Sequence, residues 1–309
     1  MEKRNTEQKE LECKRFVLIC EICGLYYSGF ILILEAMMTT CESGHVSTQQ
    51  ADFYEELISI QSAYKERLGE EELFPKPDKE QALERIKKGI PLIKFDEIRI
   101  KGETIKGILD DVCNILIKYE LCKEEDIKQL KTDGFDKLKS AALVPDNEMD
   151  VLTAFVFTMA ERIILGSIAD KLRDSIDDSR WLRGYCPMCG NKPQMARLQK
   201  EDGKRFLQCG ICSTQWQFMR IKCIYCGTED QNDLRFFWAD DDSPYRVDFC
   251  RKCKGYIKTI DERKCQEGGE INLFIEDLST AYLDILAVEQ GYQTSRGDKT
   301  GGGSIQAMQ

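Results

Sequence analysis

The chain has one histidine, His45, in 309 residues. A single imidazole cannot by itself build a metal cluster. No serine or cysteine stands where it could use that ring as a base, which removes nucleophile–histidine chemistry. A solvated or capping role is assigned to His45. No G-x-x-x-x-G-K-[ST] loop and no strand-bound G-x-G-x-x-G occurs, so no phosphate cradle is expected. Net positive charge is lacking as well: the formal charge is −10, a poor balance for bulk nucleic-acid binding. The first residues make a poor secretory n-region, because Glu2, Glu7, Glu10 and Glu12 interrupt the basic ones. No tandem repeat runs through the first half. Nothing nominates a catalytic residue, so the chain reads as a non-enzyme.

One apolar run has the length of a membrane span, Phe16 to Leu34, and it holds Glu21, Gly24 and Gly29. A charge inside a span is costly in lipid, so this run reads as a buried helix, with a membrane anchor as the alternative. The first half continues in helices. Phe16–Thr39 is expected to be central, Ser47 or Thr48 to cap the next helix, and Gln81–Lys88 to end at Gly89 with Pro91 just beyond. Phe74-Pro75-Lys76-Pro77 must be an extended break. Ile108–Tyr119, Ile127–Leu138 and Val151–Ile176 follow, the last with Phe155, Met159, Ile163 and Ile164 in one stripe.

Cysteine, by contrast, is plentiful: fifteen in all. A secreted disulfide scaffold is the wrong reading for a long chain whose cysteines stand in tight pairs, and a reducing cytoplasm is inferred. Four C-x-x-C pairs follow residue 180: Cys186/Cys189, Cys209/Cys212, Cys223/Cys226 and Cys250/Cys253, separated by 19, 10 and 23 residues. Each such turn presents two sulfurs to one point, and a tetrahedral metal needs four. The two longer gaps can each hold a hairpin, whose turns fall at Glu201-Asp202-Gly203 and Asp240–Pro244. The ten-residue gap can hold only a connecting strand, Gln215–Lys222, with Trp216 and Phe218 on one face. First is therefore paired with second and third with fourth, with an interleaved pairing as the less economical alternative. A redox thiol pair or idle buried cysteines are the alternatives, but the βαβ setting of a thioredoxin-like pair is missing. Zinc and iron both suit four thiolates, and the metal stays open. Cys20/Cys23 falls in the apolar helix and reads as packing. Cys13, Cys41, Cys113, Cys122 and Cys265 have no partner at ligand spacing.

From Arg183 to Ile260 there are 14 Lys+Arg against 9 Asp+Glu, so the cysteine-rich part is mildly basic and the remainder acidic. Helical spacing returns at Leu278, Tyr282, Ile285, Leu286 and Glu289 and ends at Gly291, and the glycine-rich tail from Thr294 is expected to be disordered. The fold class expected is α+β, with a helical domain over 1–180, four-cysteine ribbons over 181–222 and 223–262, and a C-terminal helix and tail over 263–309.

The stretches Tyr185-Cys186-Pro187-Met188-Cys189-Gly190-Asn191-Lys192-Pro193, Cys209-Gly210-Ile211-Cys212-Ser213-Thr214-Gln215-Trp216, Arg220–Gly227 and Cys250–Lys258 resemble those of the FdhE family of formate dehydrogenase accessory proteins. The closing helix from Asp277 to Tyr292 is similar too, and upstream so is Lys88-Gly89-Ile90-Pro91-Leu92. The resemblance implies a cytoplasmic maturation factor with a helical domain and two rubredoxin-like modules. It implies that the eight paired cysteines bind two metal ions, one per site. It also implies a client, the catalytic subunit of a formate dehydrogenase. No nucleic acid or membrane is expected among the partners, and a homo-oligomer stays open. Two other readings are a zinc-ribbon nucleic-acid binder, with Trp216, Phe236, Phe237 and Trp238 stacking bases, and a rubredoxin-like electron carrier.

Overall fold

The computed structural model describes residues 48–69, 73–127, 151–173, 181–238, 240, 243–265 and 271–294. The apolar run at Phe16–Leu34, the pair Cys20/Cys23, His45, most of Ile127–Leu138 and the tail after Thr294 lie outside them. Among the described residues no helix is long and apolar enough to cross a membrane.

The first half is helical: α1 spans Thr48–Gly69, α2 Lys79–Lys88, α3 Gly102–Lys118 and α4 Val151–Leu172. The break at Pro75 and Pro77 is extended, as fixed φ and missing N–H groups require. Helix α2 starts where the Asp78 side chain accepts the Gln81 N–H at 2.8 Å. It stops at Gly89, whose φ of 71° lets Gly89 and Ile90 return hydrogen bonds to Ile86 and Arg85. Helix α4 carries more than one apolar stripe. Val156, Ala160, Leu165 and Ile168 are buried along with Phe155, Met159 and Ile163. It is enclosed because α1 and α3 pack on it while it also meets the cysteine-rich part. Arg162, in its middle, donates to the Gly210 carbonyl and lies 4.1 Å over the Phe274 ring.

The second half forms one six-stranded sheet. Strands β1 (Pro193–Leu198), β2 (Arg205–Cys209) and β3 (Gln215–Phe218) make one antiparallel half. Strands β4 (Leu234–Trp238), β5 (Tyr245–Cys250) and β6 (Tyr256–Asp261) make the other. The order is β3-β2-β1-β6-β5-β4, and the halves join through a parallel pairing in which Met195 faces Lys258 and Leu198 faces Asp261. Both hairpins occur where the spacing places them. Strand β6 was not anticipated, and it is the seam of the sheet, buried along its whole length.

Two short helices cover that seam, α5 (Leu273–Ser279) and α6 (Ala281–Glu289), where the periodicity suggested one. The break falls at Thr280, whose hydroxyl donates to the Glu276 carbonyl at 2.6 Å. The freed carbonyls of Asp277 and Thr280 receive the Lys258 ammonium at 2.5 and 3.4 Å. Lys258 is itself 2% exposed and ion-paired with Asp277 at 3.0 Å and Asp284 at 2.6 Å. Tyr256 donates to Asp284 at 2.8 Å and Gln194 to Asp277 at 2.5 Å. Such a charge stays buried only because partners surround it. The architecture is α+β.

Candidate metal centres

The four C-x-x-C turns share one backbone design. Gly190, Gly227 and Lys254 each donate an N–H back to the carbonyl of the first cysteine of the turn, at 3.0, 3.1 and 2.9 Å. The first cysteine's own N–H closes a wider loop: Cys186 to Asn191, Cys209 to Thr214, Cys223 to Thr228 and Cys250 to Gly255, all at 2.8–2.9 Å. To reverse so tightly, the residue after the second cysteine must be left-handed. It is so in all four: Gly190 at φ 79°, Ser213 at 58°, Gly227 at 71° and Lys254 at 61°. The two glycines are legible in the sequence, whereas Ser213 and Lys254 hide the same requirement behind ordinary side chains.

These turns aim their N–H groups at sulfur. Met188 N–H points at Cys186 Sγ, Ile211 and Cys212 N–H at Cys209 Sγ, and Tyr225 N–H at Cys223 Sγ, each at 3.4 Å. The Asn191 amide lies 3.5 Å from Cys189 Sγ, and the Thr214 hydroxyl 3.1 Å from Cys212 Sγ. Such donors stabilise a thiolate and orient it.

The eight sulfurs collect in two groups, Cys186, Cys189, Cys209 and Cys212, and Cys223, Cys226, Cys250 and Cys253. Within each, the four Sγ atoms lie within 4.8 Å of one another. In the first, Cys186–Cys212 and Cys189–Cys209 are 3.4 Å apart. In the second, Cys223–Cys253 are 3.6 Å and Cys226–Cys250 3.8 Å apart. A disulfide would require about 2.05 Å. Four thiolates about 2.3 Å from a central ion stand about 3.8 Å from each other. Each group could therefore hold one metal ion, and the all-sulfur donor set admits zinc or iron.

Electrostatics in the first group are those of thiols sharing few protons. Burial pushes the Cys186 and Cys212 thiols well up. Burial also works against the Cys189 thiolate, but the hydrogen bonds from the other three thiols and from Asn191 outweigh it and hold Cys189 well below the usual range. Glu161 on α4 is pushed up to about 8 by burial and by the nearby Cys189 thiolate. In the second group burial raises Cys223, while Cys226 is lowered because donors from the Thr228 backbone and the other thiols outweigh its slight burial.

The two groups differ in their surroundings. All four cysteines of the first are buried. Leu92 and Ile93 donate to the carbonyls of Pro187 and Met188, at 2.9 and 2.8 Å, so the chain after α2 runs along the first turn as an added strand would. Tyr185 donates to Gly89 at 2.8 Å, and Trp216 to Arg183 at 2.9 Å. Trp216 is 0% exposed and packs its ribbon, so it is not available to stack a base. In the second group Cys226 is exposed and Cys253 half-buried. Cys113, Cys122 and Cys265 join neither group.

Fold and donors together define a class: a helical domain carrying two zinc-ribbon-like four-cysteine modules within one sheet. The FdhE central-domain family model matches residues 185–220. A protein FdhE homolog of Aquifex aeolicus is 30% identical over 222 residues, 70% of this chain and 76% of that protein. Protein FdhE of Escherichia coli K12 is 31% identical over 117 residues, 37% of this chain and 36% of that protein. The crystal structure of the FdhE protein from Pseudomonas aeruginosa superposes with a TM-score of 0.53 at 18% identity, covering 82% of this chain and 96% of that one. The chain belongs to the FdhE family.

Proposed function

We propose that this chain is a non-enzymatic accessory factor in the cytoplasm that binds the catalytic subunit of a formate dehydrogenase and is needed for its activity. Family membership is the observation that carries this reading. Cys186, Cys189, Cys209 and Cys212 hold one metal ion in this reading, and Cys223, Cys226, Cys250 and Cys253 the other. What supports the assignment is the pair of four-sulfur groups with their inward N–H donors. The metal is iron or zinc. Bound, it would cross-link turns that the backbone alone holds weakly, and iron would add one-electron chemistry at sulfur.

Anaerobic purification of the tagged chain from its native host tests the reading in one sample. Metal analysis is expected to give two iron or zinc ions per chain, and the dehydrogenase subunit is expected to co-purify. Normal formate oxidation in a deletion strain, with no dehydrogenase subunit recovered, overturns it.

A further inference from the structure

Beside the second sulfur group lies a cavity of about 100 Å³. Its walls include Cys223, Tyr225, Phe236, Phe249 and Cys250, with Arg205 and Arg235. One water needs about 10–15 Å³, so the space takes several waters or one small organic group.

Arg205 is the unusual wall. It is 6% exposed, and its polar contacts are long. Nη1 reaches the Lys222 carbonyl at 3.4 Å and Nη2 lies 3.8 Å from Asp248, while Nε has no acceptor among the described residues. Asp248 also lines the cavity but is already engaged: Arg246 Nε stands 2.9 Å away, and Thr259 donates to it at 2.8 Å. Two buried arginines thus share one aspartate, and Arg205 holds the poorer share. A buried guanidinium with an idle donor costs stability unless an acceptor reaches it.

We propose that this cavity binds a carboxylate on a short apolar stem, with Arg205 as its charged anchor. A guanidinium edge matches a planar carboxylate, and the aromatic walls favour an organic stem over a fully hydrated inorganic anion. Phe236, 52% exposed, stands at the mouth and is held by Arg246 4.5 Å over its ring. It lies on β4, one of the two outer strands of the sheet, so the carboxylate could arrive on a free small acid or at the end of an extended peptide. The metal–thiolate group next to the cavity carries negative charge and competes for the same guanidinium, which predicts weak binding.

The test uses the full chain loaded with zinc, a diamagnetic ion, titrated at constant ionic strength with sodium acetate while amide and arginine side-chain NMR signals are followed. Saturable shifts are expected at Arg205 Nε–H and at the Tyr225, Arg235 and Phe249 amides, with a Kd of about a millimolar. Arg205→Gln is expected to weaken binding roughly tenfold or more, Phe236→Ala several-fold, and Arg220→Gln, on an exposed part of the ribbon, not at all. Phe236→Ala keeps the test informative if Arg205→Gln misfolds, because that ring is half in solvent. A short peptide with a free C-terminus and its amidated twin separate the sources. If the free peptide binds tighter than acetate, the carboxylate comes from a chain; if equally, from a small acid. No saturation, an unchanged Kd in a folded Arg205→Gln, or inorganic phosphate binding tighter than acetate overturns the proposal.

Discussion

Four residues set the shape of the sulfur turns, and two of them bear side chains that the turn disfavours. A left-handed non-glycine residue costs about 1–2 kcal/mol. Ser213→Gly and Lys254→Gly are therefore expected to raise the stability of the metal-loaded chain, read by thermal unfolding, by up to about 1 kcal/mol each once the added backbone freedom is deducted. Gly190→Ala and Gly227→Ala are expected to lower it by about 1 kcal/mol or more. At Gly190 the added methyl also meets Pro91 at 3.0 Å, so Gly190→Ala is expected to be the worse of the pair. The thiols give a pH dependence of fixed sign. Burial raises Cys186, Cys212 and Cys223, and metal must displace their protons. Metal loading should release protons, and affinity should fall as pH falls, both readable in a zinc titration at several pH values. An affinity independent of pH would contradict the thiolate assignment.

At the level of elements, β6 and the helix pair behind it stand or fall together. Lys258 is fixed by Asp277, Asp284 and two helix carbonyls. Lys258→Met leaves two buried carboxylates without their cation, and a loss of about 3–5 kcal/mol is expected in denaturant unfolding. Burial already pushes Asp284 up, with Lys258 opposing it, so removing Lys258 lets the Asp284 carboxylate take a proton. The loss should shrink as pH drops toward the raised range of Asp284, and a loss equal at all pH values would argue against the ion pair. This element also shows why a strand went unread. Tyr256-Ile257-Lys258-Thr259-Ile260-Asp261 does not alternate, because both faces are covered. The groups that satisfy its Lys258 lie about twenty residues further on. The hairpins around Gly203 and Asp240 were legible because their turns punctuate alternating runs. The break at Thr280 was not, because the apolar spacing on either side continues through it.

Across the whole molecule the two four-sulfur groups have unequal shelter. The first is buried beneath α4 and the chain after α2, while the second exposes Cys226. A chelator with a thiol-reactive dye should remove metal in two phases, with Cys226 labelled in the fast one. Single-phase release with all eight thiols labelled together would contradict the asymmetry. The centres are also fitted to each other. A Cβ on Gly184 would stand 1.9 Å from the Ile224 carbonyl, and that backbone belongs to the third sulfur turn. Gly184→Ala should therefore cost more than about 2 kcal/mol and speed metal loss from the second centre.

Local chemistry lets the sequence by itself determine much of this. Spacing and gap lengths group the eight cysteines as the structure groups their sulfurs, and cap and turn residues place α2 and both hairpins. All of these depend on residues within a few positions or one hairpin of each other. Only the tertiary structure decided that the two ribbons share one sheet through β1 and β6, and that one centre is buried while the other is open. It alone also put Arg205, with its unfilled Nε, in the wall of a cavity. Those features arise from pairings between Met195 and Lys258, or between Pro187 and Leu92, whose partners are far apart in the chain. Burial and charge compensation at such distances follow from packing, and no local pattern records them.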